Sequence, residues 1–219
     1  MCAKKKLLPL KERVAAVLII FREVYAQAQC ALHFSNPLEL LVATILSAQC
    51  TDARVNLVTE KLFARYRTVK DYAAVTQEEL ESIIYSTGFF RSKAKAIRGT
   101  AAVLIAEHEG KVPTEMEALC KLPGVGRKTA NVVLGNAFGR GEGIVVDTHV
   151  TRVTRRLGWT RGRTPEAIER DLMKLVPREE WTQFSHWVIW HGRGRCTARR
   201  PDCGHCEVAH LCPSAELFG

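Results

Sequence analysis

The run from Pro37 to Ser47 constrains the fold most, because Leu38, Leu40, Leu41, Val42, Ile45 and Leu46 leave it apolar almost all round. A helix with no polar face is stable only where neighbours cover every side, so this one is expected as a buried central helix. The flanking segments carry the amphipathic pattern such neighbours need. Val14, Val17, Leu18 and Phe21 fall at helical spacing, as do Val55, Val58, Leu62 and Tyr66. Ala94, Ile97, Ala101, Leu104, Ile105 and His108 keep the same period over a longer stretch. Thr76-x-x-Glu79 and Thr114-x-x-Glu117 have the form of capping boxes, and Gly88 and Gly110 read as helix stops. Thr164-Pro165 is a cap followed by proline at the first helical position, with Ile168, Leu172 and Leu175 behind it. Ile144-Val145-Val146 is too short to anchor a sheet. The expected fold is therefore all-α.

A chain of 219 residues can form one large domain or two small ones. Its 32 basic against 23 acidic residues give a net charge of +9, which favours a polyanionic partner. A basic protein with no nucleic-acid role has the same balance, so local charge is more telling. Arg140, Arg152, Arg155, Arg156, Arg161 and Arg163 stand against only Glu142 and Asp147, and Arg193, Arg195, Arg199 and Arg200 form a second cluster. At the N-terminus, Lys4-Lys5-Lys6 and the apolar Val14–Phe21 superficially resemble a secretory signal. Lys11, Glu12 and Arg13 crowd the front of that apolar run and Arg22-Glu23 cut it short, so an amphipathic helix is expected instead. No apolar run is long enough to span a bilayer. An intracellular setting is expected, where thiols stay reduced and clustered cysteines point to metal.

Two local patterns carry chemistry. Residues Leu122 to Lys128 read Leu-Pro-Gly-Val-Gly-Arg-Lys, and Asp147-Thr148-His149 follows at a distance. Pro123 ends a helix, and Gly124 and Gly126 permit a tight turn and close approach of another backbone. Amides of such a turn running into a helix point outward together, where the macrodipole favours a phosphate. Lys128 then falls in the first helical turn, where an ammonium is disfavoured and the neutral amine of a nucleophile is favoured. On its own each residue has a plainer reading: Lys128 a surface lysine, Asp147 an N-cap, Gln49 a loop residue, Phe89 a core residue and His149 a structural histidine. The second pattern is Cys196, Cys203, Cys206 and Cys212, spaced C-x6-C-x2-C-x5-C. One close pair with two outlying ligands suits a bulky cubane; a zinc site or a disulfide knot remains open on spacing alone. His205, inside that segment, reads as a surface or phosphate-facing histidine. Cys2, Cys30, Cys50 and Cys120 read as small buried hydrophobes, and Trp187 and Trp190 as core packing beside the cluster.

Leu122–Lys128, Asp147-Thr148-His149 and the C-terminal cysteines together resemble the helix-hairpin-helix DNA glycosylases, and specifically their endonuclease III branch. Leu46-Ser47-Ala48-Gln49-Cys50-Thr51-Asp52 is similar to that family's loop that probes the damaged base pair. The resemblance spans roughly residues 30–212. It implies a bifunctional glycosylase and abasic-site lyase that excises oxidised pyrimidines of the thymine glycol type in base excision repair. It implies Lys128 as nucleophile, Asp147 as catalytic carboxylate, and Gln49 as the residue filling the gap left by a flipped nucleotide. Phe89 takes the place of a wedging side chain that is commonly leucine in the family. Gly124, Val125, Gly126, Arg127 and His149 are implied DNA contacts, and Cys196, Cys203, Cys206 and Cys212 the ligands of a 4Fe-4S cluster. A six-helix barrel domain is implied at 30–140, with its hairpin at about 115–136. A discontinuous helical domain would take 1–29 and 141–219, including the cluster loop 196–212. The expected partner is double-stranded damaged DNA bound by a monomer in a bacterial cytoplasm, with no membrane. The rival within the fold is an adenine glycosylase, a branch that typically lacks a lysine at the position of Lys128. The rival outside it is a non-catalytic DNA-binding or redox-sensing module.

Overall fold

The computed structural model describes residues 7–218, and among them every regular element is helical. Cys2 and Lys4-Lys5-Lys6 lie outside the described residues. The α-helices are α1 (Leu10–Val24), α2 (Pro37–Ser47), α3 (Asp52–Arg65), α4 (Val69–Ala74), α5 (Gln77–Ile84), α6 (Phe90–Glu107), α7 (Met116–Lys121), α8 (Arg127–Phe138), α9 (Thr148–Arg156), α10 (Pro165–Met173) and α11 (Trp181–Gly194). They divide into two compact units, one of Cys30–Glu142 and one of Met1–Gln29 with Gly143–Gly219.

In the Cys30–Glu142 unit α2 is the central helix. The Asn36 side chain accepts a hydrogen bond from the Glu39 amide, and Pro37 takes the first helical position, where its missing N–H costs nothing. Behind that cap Leu40, Leu41 and Leu46 are fully buried, and α3, α6 and α8 pack around the helix. The short α4 escapes the sequence reading. Thr68 and Asp71 form a reciprocal capping box that starts the short α4. The Thr76 hydroxyl does accept from the Glu79 amide, but the Glu79 carboxylate turns to Tyr66 and Arg65 instead of closing the box. The expected box at Thr114 does not form: α7 starts after Glu115, and the Thr114 hydroxyl donates to the Glu115 carboxylate at 2.8 Å. Ile105 ends up 42% exposed, because the buried stripe of α6 runs through Ala94, Ile97, Ala101 and Leu104.

The other unit has its own core. Val14, Val17, Leu18 and Phe21 of α1 pack with Val150, Val153, Ile168, Leu172, Phe184 and Val188. Trp159 stacks on Phe184 with ring centroids 5.8 Å apart. Arg13 is buried, and its guanidinium donates to the Leu157 and Leu211 carbonyls. Trp187 is buried as expected, whereas Trp190 is 40% exposed. The helical period explains the difference: Phe184, Val188 and His191 define the inward face of α11, and Trp190 falls on the opposite one. Among the described residues no helix is long and apolar enough to cross a membrane.

Candidate active site and metal centre

The turn between α7 and α8 is clamped against α6. Gly124 has φ +74, a left-handed conformation that a Cβ disfavours, and a Cβ there would lie 2.8 Å from the Cβ of Ala96. The Thr100 hydroxyl donates to the Pro123 carbonyl at 2.9 Å, and Val125 is buried beneath the turn. Gly126 is not held to glycine by the tight turn expected of it. Its φ of −97 suits any residue, and a Cβ would meet nothing within 4 Å. Its bare backbone leaves the approach to the N-terminus of α8 open, and Arg127 and Lys128 are exposed in the first turn behind it. Gly124→Ala is expected to lose about 2 kcal/mol or more from the conformation and the overlap together. That corresponds to about 4–8 °C in thermal denaturation. Gly126→Ala should lose less than about 1 kcal/mol, and equal losses in the two variants would contradict the clamp.

Gln49 and Phe89 share an uncommon backbone. Their φ values are +53 and +47, and with Glu109 they are the non-glycine residues of positive φ among those described. The left-handed region costs a residue with a Cβ about 1–2 kcal/mol and persists only where the surroundings impose it. Both side chains are exposed, Phe89 by 64%. Phe90 turns inward and packs on Tyr85 at 4.8 Å between ring centroids. Of the two adjacent phenylalanines, Phe89 is therefore the exposed one. Lys93, which the sequence reading passed over, is only 4% exposed and lies between these two turns.

In the other unit Asp147 caps α9, its Oδ1 accepting from the Val150 amide at 2.8 Å. His149 receives a hydrogen bond at Nδ1 from Arg152, which also donates to the Gly192 and Cys196 carbonyls. Gly192 admits this packing, since a Cβ there would meet His149 and Arg152 at 3.1–3.2 Å. Arg156 donates to the Cys196 sulfur at 3.2 Å and to the Thr197 and Ala198 carbonyls. Arg155 donates to the Gly162 carbonyl, and Arg195 pairs with Asp202 and Glu207. Arg152, Arg156 and Arg195 thus tie the C-terminal loop to α9 and α11.

That loop brings the four cysteines to the lining of one small cavity, which Val153, Leu157, His191 and Val208 also line. Burial pushes the Cys206 thiol up to about 11, and burial also raises Cys203 and Cys212, with the charge of Cys196 adding to both. Without a cation these thiols resist ionisation; a bound iron core supplies the positive charge that lets them ligate as thiolates. The donor set therefore suits an iron–sulfur cluster. His205 does not line the cavity; it is exposed, with Nδ1 2.8 Å from Asp202. His191 turns Nε2 toward the Cys206 sulfur at 3.8 Å while its Nδ1 pairs with the Tyr25 hydroxyl at 2.9 Å. Among the scattered cysteines Cys30 and Cys50 are half-buried, whereas Cys120 is exposed beside Met116, since α7 turns Leu119 inward instead.

Comparison with known proteins decides the family. Residues 42–178 match the family described as HhH-GPD superfamily base excision DNA repair protein. Residues 196–212 match the iron-sulfur binding domain of endonuclease III. The chain is 52% identical to endonuclease III of Synechocystis sp. over 97% of both proteins. It is 42% identical to that of Escherichia coli K12, covering 94% of this chain and 97% of the relative. The chain belongs to the endonuclease III branch of the helix-hairpin-helix DNA glycosylases. Among solved structures, a trapped endonuclease III–DNA covalent intermediate has a TM-score of 0.90 at 46% identity, covering 96% of this chain and 99% of that one. A thermostable thymine-DNA glycosylase shares the fold with a TM-score of 0.81 at 24% identity, covering 94% of this chain and 98% of that one. Membership of the endonuclease III branch makes this chain a base excision repair DNA glycosylase, and the cysteine loop its 4Fe-4S site.

Proposed function

We propose that the chain is a bifunctional enzyme, which excises oxidised pyrimidines of the thymine glycol type from double-stranded DNA and then cleaves the strand at the abasic site. The observation that carries this reading is the exposed amine of Lys128 in the first turn of α8, directly behind the Gly124–Gly126 turn. That turn holds backbone phosphate through its amides, with Arg127 beside it, so the contact positions DNA without reading sequence. A base stacked in the duplex shields C1′, so the nucleotide is flipped out while Gln49 and Phe89 occupy the vacated stack.

The neutral Lys128 amine attacks C1′ and forms a C–N bond as the C1′–N bond to the base breaks. The base leaves with one amine proton, the C1′–O4′ bond then breaks as O4′ takes the other, and the ring-opened sugar is left as a Schiff base on Lys128. Loss of a C2′ proton then expels the 3′ phosphate by β-elimination, and water releases the unsaturated aldehyde and regenerates the amine. The Asp147 carboxylate stabilises positive charge developing on the sugar and assists proton movement. The 4Fe-4S cluster, held by Cys196, Cys203, Cys206 and Cys212, supplies a covalent cross-link that fixes the C-terminal loop. The protein acts as a monomer on damaged chromosomal DNA, with His149 beside the Asp147 cap as a further phosphate contact. The covalent DNA intermediate of endonuclease III supports the lyase step by likeness.

The test is a set of labelled duplexes carrying thymine glycol, dihydrouracil, 5-hydroxycytosine, uracil or an abasic site. Strand scission without alkali is expected at the oxidised pyrimidines and the abasic site, leaving a 3′ unsaturated aldehyde. Breaks that appear only after alkali would remove the lyase step, and an intact thymine glycol strand would remove the substrate assignment.

A further inference from the structure

Gln49 and Phe89 sit on turns that strand backbone carbonyls. In a continued α2 the Leu46 carbonyl would accept from the Cys50 amide, but that amide turns back to Ser47 at 3.0 Å. The left-handed Gln49 lies inside this reversal. The 3-10 turn Tyr85–Thr87 likewise ends at Gly88 and the left-handed Phe89, which directs the chain away from the Thr87 carbonyl. Two acceptors at the ends of two separate elements are thus left in a buried region, where an unsatisfied carbonyl is costly.

One side chain meets both. The Lys93 Nζ donates to the Leu46 carbonyl at 2.8 Å and to the Thr87 carbonyl at 2.8 Å. Its own backbone amide donates to the Phe89 carbonyl at 3.1 Å, the first bond of α6. A cation at the C-terminal end of α2 also complements the helix dipole. Burial lowers the Lys93 pKa from its ordinary value while the neighbouring Cys50 opposes that; an amine in either protonation state has the two donors required.

We infer that Lys93 is a positioning residue, a buried strut that fixes the Gln49 and Phe89 turns relative to each other so that both side chains enter one gap in the duplex. This rests on the assignment of Gln49 and Phe89 as the intruding residues. A lysine this deeply buried contributes little as a surface charge, and its two bonds bring carbonyls 47 and 6 residues away in sequence together on a single nitrogen.

The experiment compares Lys93→Met with the wild type on abasic DNA, as a duplex and as a single strand. The single strand has no stack to enter, so its cleavage needs the Lys128 amine but not the two turns. Lys93→Met is expected to lose about tenfold or more in kcat/KM on the duplex (about 1.4 kcal/mol) and to stay within about twofold on the single strand. A 2-aminopurine placed opposite the abasic site should lose the emission change that saturating wild-type enzyme produces. Lys93→Arg, which restores two donors, should recover most of the duplex activity. Equal losses on both substrates, or a full fluorescence response in the methionine variant, would overturn the inference. If Lys93→Met does not accumulate as folded protein, Lys93→Gln is read by the same ratio and the same criterion. Gln49→Ala and Phe89→Ala run alongside: if neither shows a duplex-specific loss, the intruding-residue assignment fails, whereas a loss in them without one in Lys93→Met defeats the strut alone.

Discussion

Lys128→Ala yields no covalent adduct when abasic duplex is treated with borohydride, whereas the wild-type protein is trapped. Borohydride reduces a Schiff base to a stable amine, so the assay reads the bond between enzyme and sugar directly. Lys128 is exposed, and truncation of an exposed side chain away from a cap or core changes stability by about 0.5 kcal/mol or less. The variant should therefore melt with the wild type and still bind DNA through the Gly124–Gly126 turn. Its glycosylase turnover falls by on the order of a thousandfold or more, the scale seen when a covalent nucleophile is removed. Lys121, exposed in the last turn of α7 on the same hairpin, is the matched control, and Lys121→Ala should be trapped as the wild type is. An undiminished adduct with Lys128→Ala would place the nucleophile elsewhere.

What the sequence disclosed follows from how local each feature is. The burial of α2 was legible because a helix with apolar residues on every side has no other stable placement, and Leu40, Leu41 and Leu46 lie at its centre. The Thr164-Pro165 cap was legible because cap and proline act within one turn. The cysteine loop was legible because its four ligands fall within a short segment. Features decided by distant partners were not. Thr114 and Glu117 have box spacing, but the chain enters α7 one residue late and the box does not close. Arg152 and Arg156 read as partner-facing charge until the Cys196 and Thr197 carbonyls that absorb their donors are known. The positive φ of Gln49 and Phe89 has no sequence signature, since each is imposed by its surroundings. Lys93 is the extreme case: a lysine beside Ala94 in an amphipathic helix reads as solvent-facing, and only the two stranded carbonyls explain its burial.

Asp147 can be divided experimentally, because it has two roles that different substitutions remove. As the N-cap of α9 it accepts from the Val150 amide, and asparagine serves that purpose about as well as aspartate. As a carboxylate it is assigned charge stabilisation and proton movement at the sugar, which an amide cannot supply. Asp147→Asn is therefore expected to melt within about 2–4 °C of the wild type, equivalent to about 1 kcal/mol. Its single-turnover glycosylase rate should fall by about 10²–10⁴-fold, the range for loss of a general acid or base. Asp147→Ala loses the cap as well and should be less stable than the asparagine variant by about 1 kcal/mol. The two variants should nevertheless share nearly the same reduced rate, since both lack the carboxylate. If asparagine instead restores the wild-type rate and alanine alone is slow, the cap is the whole contribution of Asp147, and the charge on the sugar must be met by another group.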